Sequence, residues 1–516
     1  MRSLPRTRLR PAALVAACAL LALAAARADA AELWVDGGNA ACSDARGAAQ
    51  VTAPATPWCT VSRAAREAGA GDTVRVRAGT YRETVRPVRS GTPAAPIRFV
   101  AEAGAVLDAA GAATGGAAAP NAIKLIGVSD VAFDGFEVRG GTAQGIWVDG
   151  CARIALQRLR VVAGAGAGIQ LKASADVRVE DSAIAGNGGA GIMELAGTRD
   201  GRYLRNVVTG NGRGGGAFNG DGIQLGGSGA LIAGSTIAGN GDDGPYEHGV
   251  YSAPGSRDWT IESSELRGNG GANVKAAGGP GIVRANVLDG GRYGIVLSDN
   301  PAMVTVERNE VRGSAQHLVF LTAGASAARA RLFSNTIVQA GRSTAAGDAS
   351  AVFVNAAAAL ELRDNALAYA NPDALGVALW VNDATRLAEF SSDGNTFCAT
   401  DVRDRPLAWN GSRVTLAAWR AVSAQDLLST QSPTVACADV GATVAAAGRP
   451  AGRRRSPVRA RCAPRAPARS AGLRACGPGG AVRTRAARAR RTPDTPRDRL
   501  RAPSAGSART ARRLRR

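Results

Sequence analysis

The chain has 516 residues and a formal net charge of +21, but this charge belongs to its two ends. Residues 449–516 contain 22 arginines against Asp494 and Asp498, and residues 1–30 contain five arginines against Asp29. The intervening body, residues 31–448, is therefore mildly acidic, with a formal charge of about −3. After the first 30 residues no apolar run is long enough to span a bilayer, so the sequence excludes a helical membrane span there.

The first 30 residues have the pattern of a secretory signal peptide. Four arginines precede an apolar run over residues 11–26, and Ala28-Asp29-Ala30 offers a small-residue cleavage site. We therefore expect a secreted protein, located extracellularly or at the cell surface, in which disulfides can form.

Residues 31–70 are predicted to form an N-terminal cap. Cys42 and Cys59 lie close enough in sequence to close a short disulfide loop. Residues 55–70 predict a short helix with Thr60 or Ser62 as its N-cap. Such a helix would cover the first rung of the structure that follows, because an open rung is a pairing edge.

Residues 71–404 contain a repeat with a spacing of mostly 23 to 31 residues. One strand in each unit has the form Gly-apolar-x-apolar and begins at Gly145, Gly168, Gly191, Gly222, Gly249 and Gly294. A second strand ends at a position that is mostly Asn or Ser: Phe136, Leu159, Ser182, Asn206, Ser235, Ser264, Asn286, Asn309, Asn335, Asn365 and Asn395. Such units cannot bury an apolar face alone, so neighbours must stack into a continuous core.

This pattern predicts an all-β fold, a parallel β-helix of short stacked coils. The recurring Asn and Ser side chains are predicted to form a polar ladder at one bend, bonding to their neighbours above and below. Four successive coils also repeat Gly-Asn-Gly around Asn187, Asn211, Asn240 and Asn269. We interpret these asparagines as structural and not as ligands.

The C-terminal part divides into a cap and a tail. Residues 405–448 are predicted to cover the last coil, and a pairing of Cys398 with Cys437 would flank it. Residues 449–516 lack Phe, Trp and Tyr, so this Arg-rich segment is predicted to be disordered. It is either a tether to anionic cell-surface polymer or, as we favour, a low-complexity extension.

Three stretches carry a resemblance to a known group. Residues 71–83, GDTVRVRAGTYRE, and residues 90–97, SGTPAAPI, resemble the first two coils of secreted right-handed β-helix proteins of the pectate-lyase-like superfamily. Trp409-Asn410-Gly411 with the following residues 416–426 is similar to a closing segment of those proteins. The resemblance covers about residues 32–445 and implies a right-handed solenoid, in line with the rule for parallel crossovers.

The x position of Gly-apolar-x-apolar is predicted to face outward. Down the stack this outward row is Lys124, Trp147, Gln170, Met193, Gln224, Tyr251, Lys275, Val296, Val319 and Phe353. Insertions at residues 212–220 and 241–247 fall at the same corner of consecutive coils and are expected to form a wall beside the row. The predicted groove contains Asp221, Gln224, Glu247, His248, Tyr251, Lys275 and Tyr293, with Asp242 and Asp243 on the loop above.

This mixture of residues suits a glycan, because aromatic rings stack on sugars and amides bind hydroxyls. Gln224, Tyr251, Tyr293 and Glu247 are the predicted substrate-binding residues. The resemblance implies a lyase among the chemistries to be considered, which needs a base near a proton acidified by a carboxylate. Lys275 or His248 would be that base.

The resemblance also implies calcium in such a lyase, with Asp221, Asp242 or Asp243 as oxygen ligands. It equally allows a glycosidase, with Asp221 and Glu247 as its carboxylate pair, or an epimerase. We expect a monomer that acts on an extracellular, uronate-containing polysaccharide, with lyase-type elimination as the first reaction. The alternative is a non-catalytic glycan-binding or adhesion scaffold, since the fold serves both equally well.

Overall fold

The structure of the protein is a computed structural model. It describes residues 30–109, 113–114, 117–118, 121–213, 220–242, 244, 246–300, 302–323, 328–340, 349–370, 376–399 and 405–432. The predicted signal peptide, the Arg-rich tail, Asp243 and Cys437 lie outside these ranges, apart from Ala30 at the end of the predicted signal segment.

The described residues form a right-handed parallel β-helix of about 11 turns, as predicted. Each complete coil contributes one strand to each of three sheets, here called A, B and C. Sheet A has 14 strands: Glu32–Val35, Thr73–Val76, Ile97–Ala101, Ser129–Asp134, Ala152–Gln157, Ala175–Glu180, Arg202–Leu204, Leu231–Ala233, Trp259–Glu262, Gly281–Arg284, Val304–Glu307, Ala328–Phe333, Ala357–Arg363 and Leu387–Asp393.

Sheets B and C are built in the same way. Sheet B also has 14 strands: Gly79–Tyr81, Ala105–Asp108, Glu137–Arg139, Arg160–Val162, Ala183–Ala185, Val207–Thr209, Thr236–Ala238, Glu265–Arg267, Val287–Asp289, Glu310–Arg312, Thr336–Ala340, Ala366–Ala370, Thr396–Ala399 and Thr430–Gln431. Sheet C has 13 strands, of which the last is antiparallel: Ile123–Ile126, Ile146–Asp149, Ile169–Lys172, Ile192–Glu194, Ile223–Leu225, Val250–Ser252, Ala272–Ala276, Tyr293–Leu297, Val319–Leu321, Ser350–Val354, Val377–Val381, Leu407–Trp409 and Ser412–Val414. A short hairpin joins Ala113–Thr114 to Ala117–Ala118.

The core lies inside the coils because alternate residues of every strand point inward. On sheet C the inward column includes Ile192, Ile223, Val250, Val274 and Ile295, which are aligned by the strand register and fully buried. Each coil thus buries its apolar side chains against the coils before and after it. Among the described residues no helix is long and apolar enough to cross a membrane.

The predicted polar ladder is confirmed at the bend between sheets A and B. From Ser182 to Asn395, each ladder side chain accepts a hydrogen bond from the backbone N–H of the ladder position one coil earlier, at 3.0–3.1 Å. A second ladder, between sheets B and C, joins Asn187, Asn211, Asn240 and Asn269 and ends on Asn273. Both sets of asparagines are therefore structural, as interpreted.

A short helix lies near each end of the described solenoid. The helix Val61–Glu67 begins after Thr60, whose hydroxyl accepts from the N–H of Arg63, and Cys42 is bonded to Cys59. The helix Leu416–Ser423 lies at the other end. Its Trp419 is fully buried and donates through Nε1 to Asp426. Short 3₁₀ turns span Ala48–Gln50 and Ala384–Arg386.

One position of the predicted outward row is wrong. Val319 is fully buried, and the strand register aligns Val296 with Phe320, then with Phe353 and Trp380. This coil has Leu318 where the preceding one has Gly294, so the glycine that marks the register elsewhere is missing. The corrected row becomes aromatic after Val296.

Candidate functional site

The strand register brings the predicted groove residues together at one corner of sheet C. Ile223 pairs with Val250, which pairs with Val274, so Asp221, His248 and Ala272 occupy equivalent positions in three consecutive coils. These positions lie where the chain leaves the two insertions and enters sheet C. The described residues of the predicted groove therefore lie in neighbouring coils at this corner, and we keep the name groove for this region.

Asp221 is buried at this corner. Its side chain is 1% exposed, and its Oδ1 accepts a hydrogen bond from the backbone N–H of His248 at 2.7 Å. Burial raises the pKa of Asp221 to about 7, and the nearby Glu247 adds to the rise. The hydrogen bond and the charge of Lys275 oppose this shift. Asp221 thus fastens one coil to the next through a carboxyl group that titrates near neutral pH.

His248 repeats this arrangement one coil further on. It is 3% exposed, and its Nδ1 accepts from the backbone N–H of Ala272 at 3.0 Å. This bond leaves the ring proton on Nε2. Burial lowers the pKa of His248 to about 3, with a further contribution from Lys275. A neutral imidazole whose Nδ1 lone pair is already occupied is a poor candidate for a general base.

Lys275, Tyr251 and Gln224 lie on the outward face of sheet C, in neighbouring positions of three consecutive strands. The Nζ of Lys275 lies 5.6 Å from the centroid of the Tyr251 ring, in a cation–π contact. Partial burial raises the pKa of the Tyr251 hydroxyl. These three side chains are partly exposed, so they form the accessible floor of the groove.

Glu247 ties the second insertion to the groove. Its Oε2 accepts from the backbone N–H of Asp242 at 2.7 Å, and Oδ1 of Asp242 accepts from the N–H of Gly244 at 2.9 Å. Partial burial raises the pKa of Glu247. The backbone hydrogen bond from Asp242 opposes this rise, whereas the Asp242 carboxylate adds to it. The carboxylates of Glu247 and Asp242 therefore stabilise the loop of the second insertion through hydrogen bonds to its backbone.

The calcium site implied by the resemblance is incomplete in the part of the chain that the structure describes. Calcium takes six to eight oxygen ligands, and several of these are usually carboxylates. Of the two loop aspartates only Asp242 is described, with Glu247 beside it, and the described residues contain no group of three side chains suited to a metal. We derive no step through calcium.

Tyr293 leads into an aromatic strip that the sequence analysis did not identify as a unit. The strip consists of Tyr293, His317, Phe320, Phe353 and Trp380. The rings of His317 and Phe353 stack at 4.3 Å, and Trp380 lies edge-on to Phe353 at 5.6 Å. Because most rings stack on their neighbours along the stack of coils, the strip first of all stabilises the contacts between coils.

Two further residues at this corner were missed. His317 occupies the position equivalent to His248, and burial lowers the pKa of His317 to about 4. Arg292 precedes Tyr293 and lies over its ring, 5.7 Å from the centroid. The sequence register missed His317, because Leu318 replaces the glycine that marks this position in other coils.

The fold defines the chain as a right-handed parallel β-helix protein. Consistent with this, the model of the family described as "Right handed beta helix region" matches residues 204–367. A search of curated proteins finds no match.

The chain is similar to several solved structures at low sequence identity. One is an alginate lyase from Paenibacillus sp. str. FPU-7, which is 18% identical and has a TM-score of 0.39. The match covers 53% of this chain and 91% of the alginate lyase chain. Pectate lyase Pel9A has 17% identity, coverage of 60% and 76%, and a TM-score of 0.39. The A-module of mannuronan C-5 epimerase AlgE4 from Azotobacter vinelandii has 15% identity, coverage of 58% and 94%, and a TM-score of 0.36.

Proposed function

We propose that this chain is a secreted, carbohydrate-active β-helix protein that binds a uronate-containing polysaccharide on the outward face of sheet C and cleaves it by β-elimination. The observation that carries the proposal is the position of Lys275. It is a partly exposed cation in the middle of the outward row, in contact with the Tyr251 ring and beside the carboxyl groups of the corner. A cation and an aromatic ring on one accessible floor suit an acidic sugar.

In this mechanism Lys275 acts as the base in its neutral amine form, after its ammonium proton has passed to solvent. It takes the proton from the sugar carbon next to the carboxylate, and the electron pair of that C–H bond forms a double bond to the neighbouring carbon. The glycosidic C–O bond at that carbon breaks, and the departing oxygen takes a proton from water. We assign the base to Lys275 and not to His248, because Nδ1 of His248 already accepts from Ala272. Gln224, Tyr251, Tyr293 and Glu247 are assigned to sugar binding.

The remaining corner residues have a positioning role in this proposal. Asp221 and His248 fix the backbone from which Tyr251 and Lys275 project, each through a hydrogen bond to the following coil. Asp221 also supplies a carboxyl group close enough to interact electrostatically with Lys275. Loss of either residue is expected to shift the groove floor.

The test is to incubate the full chain with a panel of uronate polymers, with and without calcium, and to follow the ultraviolet absorbance of the unsaturated product. We expect product from at least one polymer, and a loss of rate of about 100-fold or more in Lys275→Ala, as for removal of a general base. Lys124→Ala is the matched control, because Lys124 lies on the same outward row several coils away. Full activity of Lys275→Ala would remove this base from the mechanism.

A second candidate function is non-catalytic glycan binding, and one observation favours it. Two of the three residues predicted to be catalytic, Asp221 and His248, are almost fully buried and are engaged with the backbone. A scaffold needs only the exposed floor of Gln224, Tyr251 and Lys275. Measurable binding of a uronate polymer without product across the whole panel would establish this candidate and refute the elimination.

A further inference from the structure

Arg292 is held in a defined orientation at the edge of the groove. Its Nε donates to Oε1 of Gln316 at 3.2 Å, while the backbone N–H of Gln316 donates to the carbonyl of Arg292 at 2.9 Å. The guanidinium also lies over the Tyr293 ring. These contacts fix the plane of the guanidinium and use Nε, which leaves the two terminal nitrogens to point elsewhere.

The charge of Arg292 is not neutralised within the described part of the chain. No described carboxylate forms an ion pair with Arg292 or with Lys275, although both are partly exposed on the groove side. On the outer faces of sheets A and B, by contrast, many arginines pair with carboxylates of adjacent coils. Examples are Arg153 with Asp130, Arg205 with Asp181 and Arg284 with Glu262. Arg292 and Lys275 therefore present positive charge that an anionic ligand would neutralise.

We propose that Arg292, oriented by Gln316 and Tyr293, is a specificity-determining residue that binds a sugar carboxylate through its terminal nitrogens. A planar guanidinium offers two parallel donors that match the two oxygens of a carboxylate. The inference rests on the proposed function, since it takes a uronate polymer as the ligand of the groove. It adds a second point of carboxylate recognition, separate from Lys275.

Arg292 and Lys275 bind different sugar residues. The strand register aligns Lys275 with Val296, four positions after Arg292. Four residues of extended chain correspond to about 13 Å, so the two side chains leave the backbone at well separated points along the sheet. We therefore assign them to carboxylates of different sugar residues. Their contributions to binding are therefore expected to be independent and additive.

The experiment measures dissociation constants of a galacturonate, a glucuronate and a mannuronate oligomer, and of their methyl esters, by calorimetry on the full chain. Arg292→Gln is expected to weaken binding of the acid that the wild type prefers by on the order of 10- to 100-fold, the range for hydrogen bonds to a charged group. Binding of its methyl ester is expected to stay unchanged. Arg292→Lys keeps the positive charge but loses the two parallel donors of the guanidinium. Its affinity for the acid should lie between those of the wild type and Arg292→Gln.

Arg178→Gln is the matched control, because Arg178 is an exposed arginine on sheet A, away from the groove. It is expected to bind as the wild type does. Lys275→Gln combined with Arg292→Gln should show the product of the two single fold-changes.

Two outcomes would overturn the inference while leaving the proposed function in place: wild-type affinity of Arg292→Gln for the acid, or an equal loss for acid and ester. A wild type that binds none of the acids would overturn the proposed function itself, and the subsite with it.

Discussion

Glu194→Gln is expected to stabilise the protein at pH 8 and to leave its stability unchanged at pH 4. Glu194 points into the core from sheet C and is 1% exposed. The Tyr203 hydroxyl donates to its Oε1, and the backbone of Gly227 also interacts with the carboxylate. Burial raises the pKa of Glu194 from 4.5 to about 7, against the opposing effects of the Tyr203 hydrogen bond and the Gly227 backbone. The folded state therefore favours the neutral carboxyl.

The magnitude and sign follow from linkage. Between pH 4.5 and 7 the folded chain keeps the proton of Glu194 while the unfolded chain has lost it, so the free energy of unfolding falls as the pH rises. A shift of this size corresponds to about 3 kcal/mol at 1.4 kcal/mol per pH unit. Glutamine has the same shape and stays neutral, so Glu194→Gln should recover about 3 kcal/mol above pH 7 and nothing below pH 4.5.

The assay is guanidinium unfolding of wild type and variant at half-unit steps from pH 4 to pH 8, followed by far-ultraviolet circular dichroism. The quantity of interest is the difference between the two proteins, because other titrating groups contribute equally to both. Glu265→Gln is the control for loss of a carboxylate, since Glu265 is exposed on sheet B. A difference that is constant with pH, or a variant that is less stable at pH 8, would refute the reasoning.

Two further predictions concern the ladder and the N-terminal cap. Asn309→Ala should lower the free energy of unfolding by about 3–5 kcal/mol. The buried amide of Asn309 bonds to Asn286, Asn335 and a backbone carbonyl, and its loss leaves those groups without a hydrogen-bond partner. Chemical unfolding measures this change, and a loss below 1 kcal/mol would contradict a structural ladder. Cys42→Ser should lower the free energy of unfolding by about 3 kcal/mol, because it opens the loop that the disulfide with Cys59 closes. A reducing agent should lower the melting temperature of the wild type but not that of the variant. Equal sensitivity of the two proteins would contradict this prediction.

The coil repeat could be predicted because its marker residues recur at a nearly regular spacing in the sequence. Each bend needs a small or polar residue, and each ladder residue recurs after one coil, so the period is visible without any structure. The prediction of the outward row was wrong at Val319, because Leu318 replaces the glycine that marks the strand register in other coils. The hydrogen bond between Glu194 and Tyr203 also escaped the sequence, because nine residues separate two side chains that meet only after the chain turns.

The placement of the candidate site residues in neighbouring coils could be predicted, but the direction of their side chains could not. The register that places Asp221 beside His248 follows from the repeat, and the structure confirms it. Strand alternation, carried back three residues from the outward Gln224, would also have indicated that Asp221 points inward. Tyr293 breaks that rule, since it occupies the position equivalent to the buried Ala272 yet is partly exposed. Alternation does not hold through a bend, so exposure there depends on contacts that the sequence does not display.

The two buried corner residues have opposite effects on the pH dependence of stability. The raised pKa of Asp221, about 7, makes the free energy of unfolding fall as the pH rises from 3.8. The lowered pKa of His248, about 3, makes it rise with pH up to 6.5, because the unfolded chain binds the proton that the folded chain excludes. Between pH 3.8 and 6.5 these slopes nearly cancel. Desolvation thus keeps both residues neutral near pH 5, and the proposed recognition of charge on this face is assigned to the partly exposed Lys275 and Arg292.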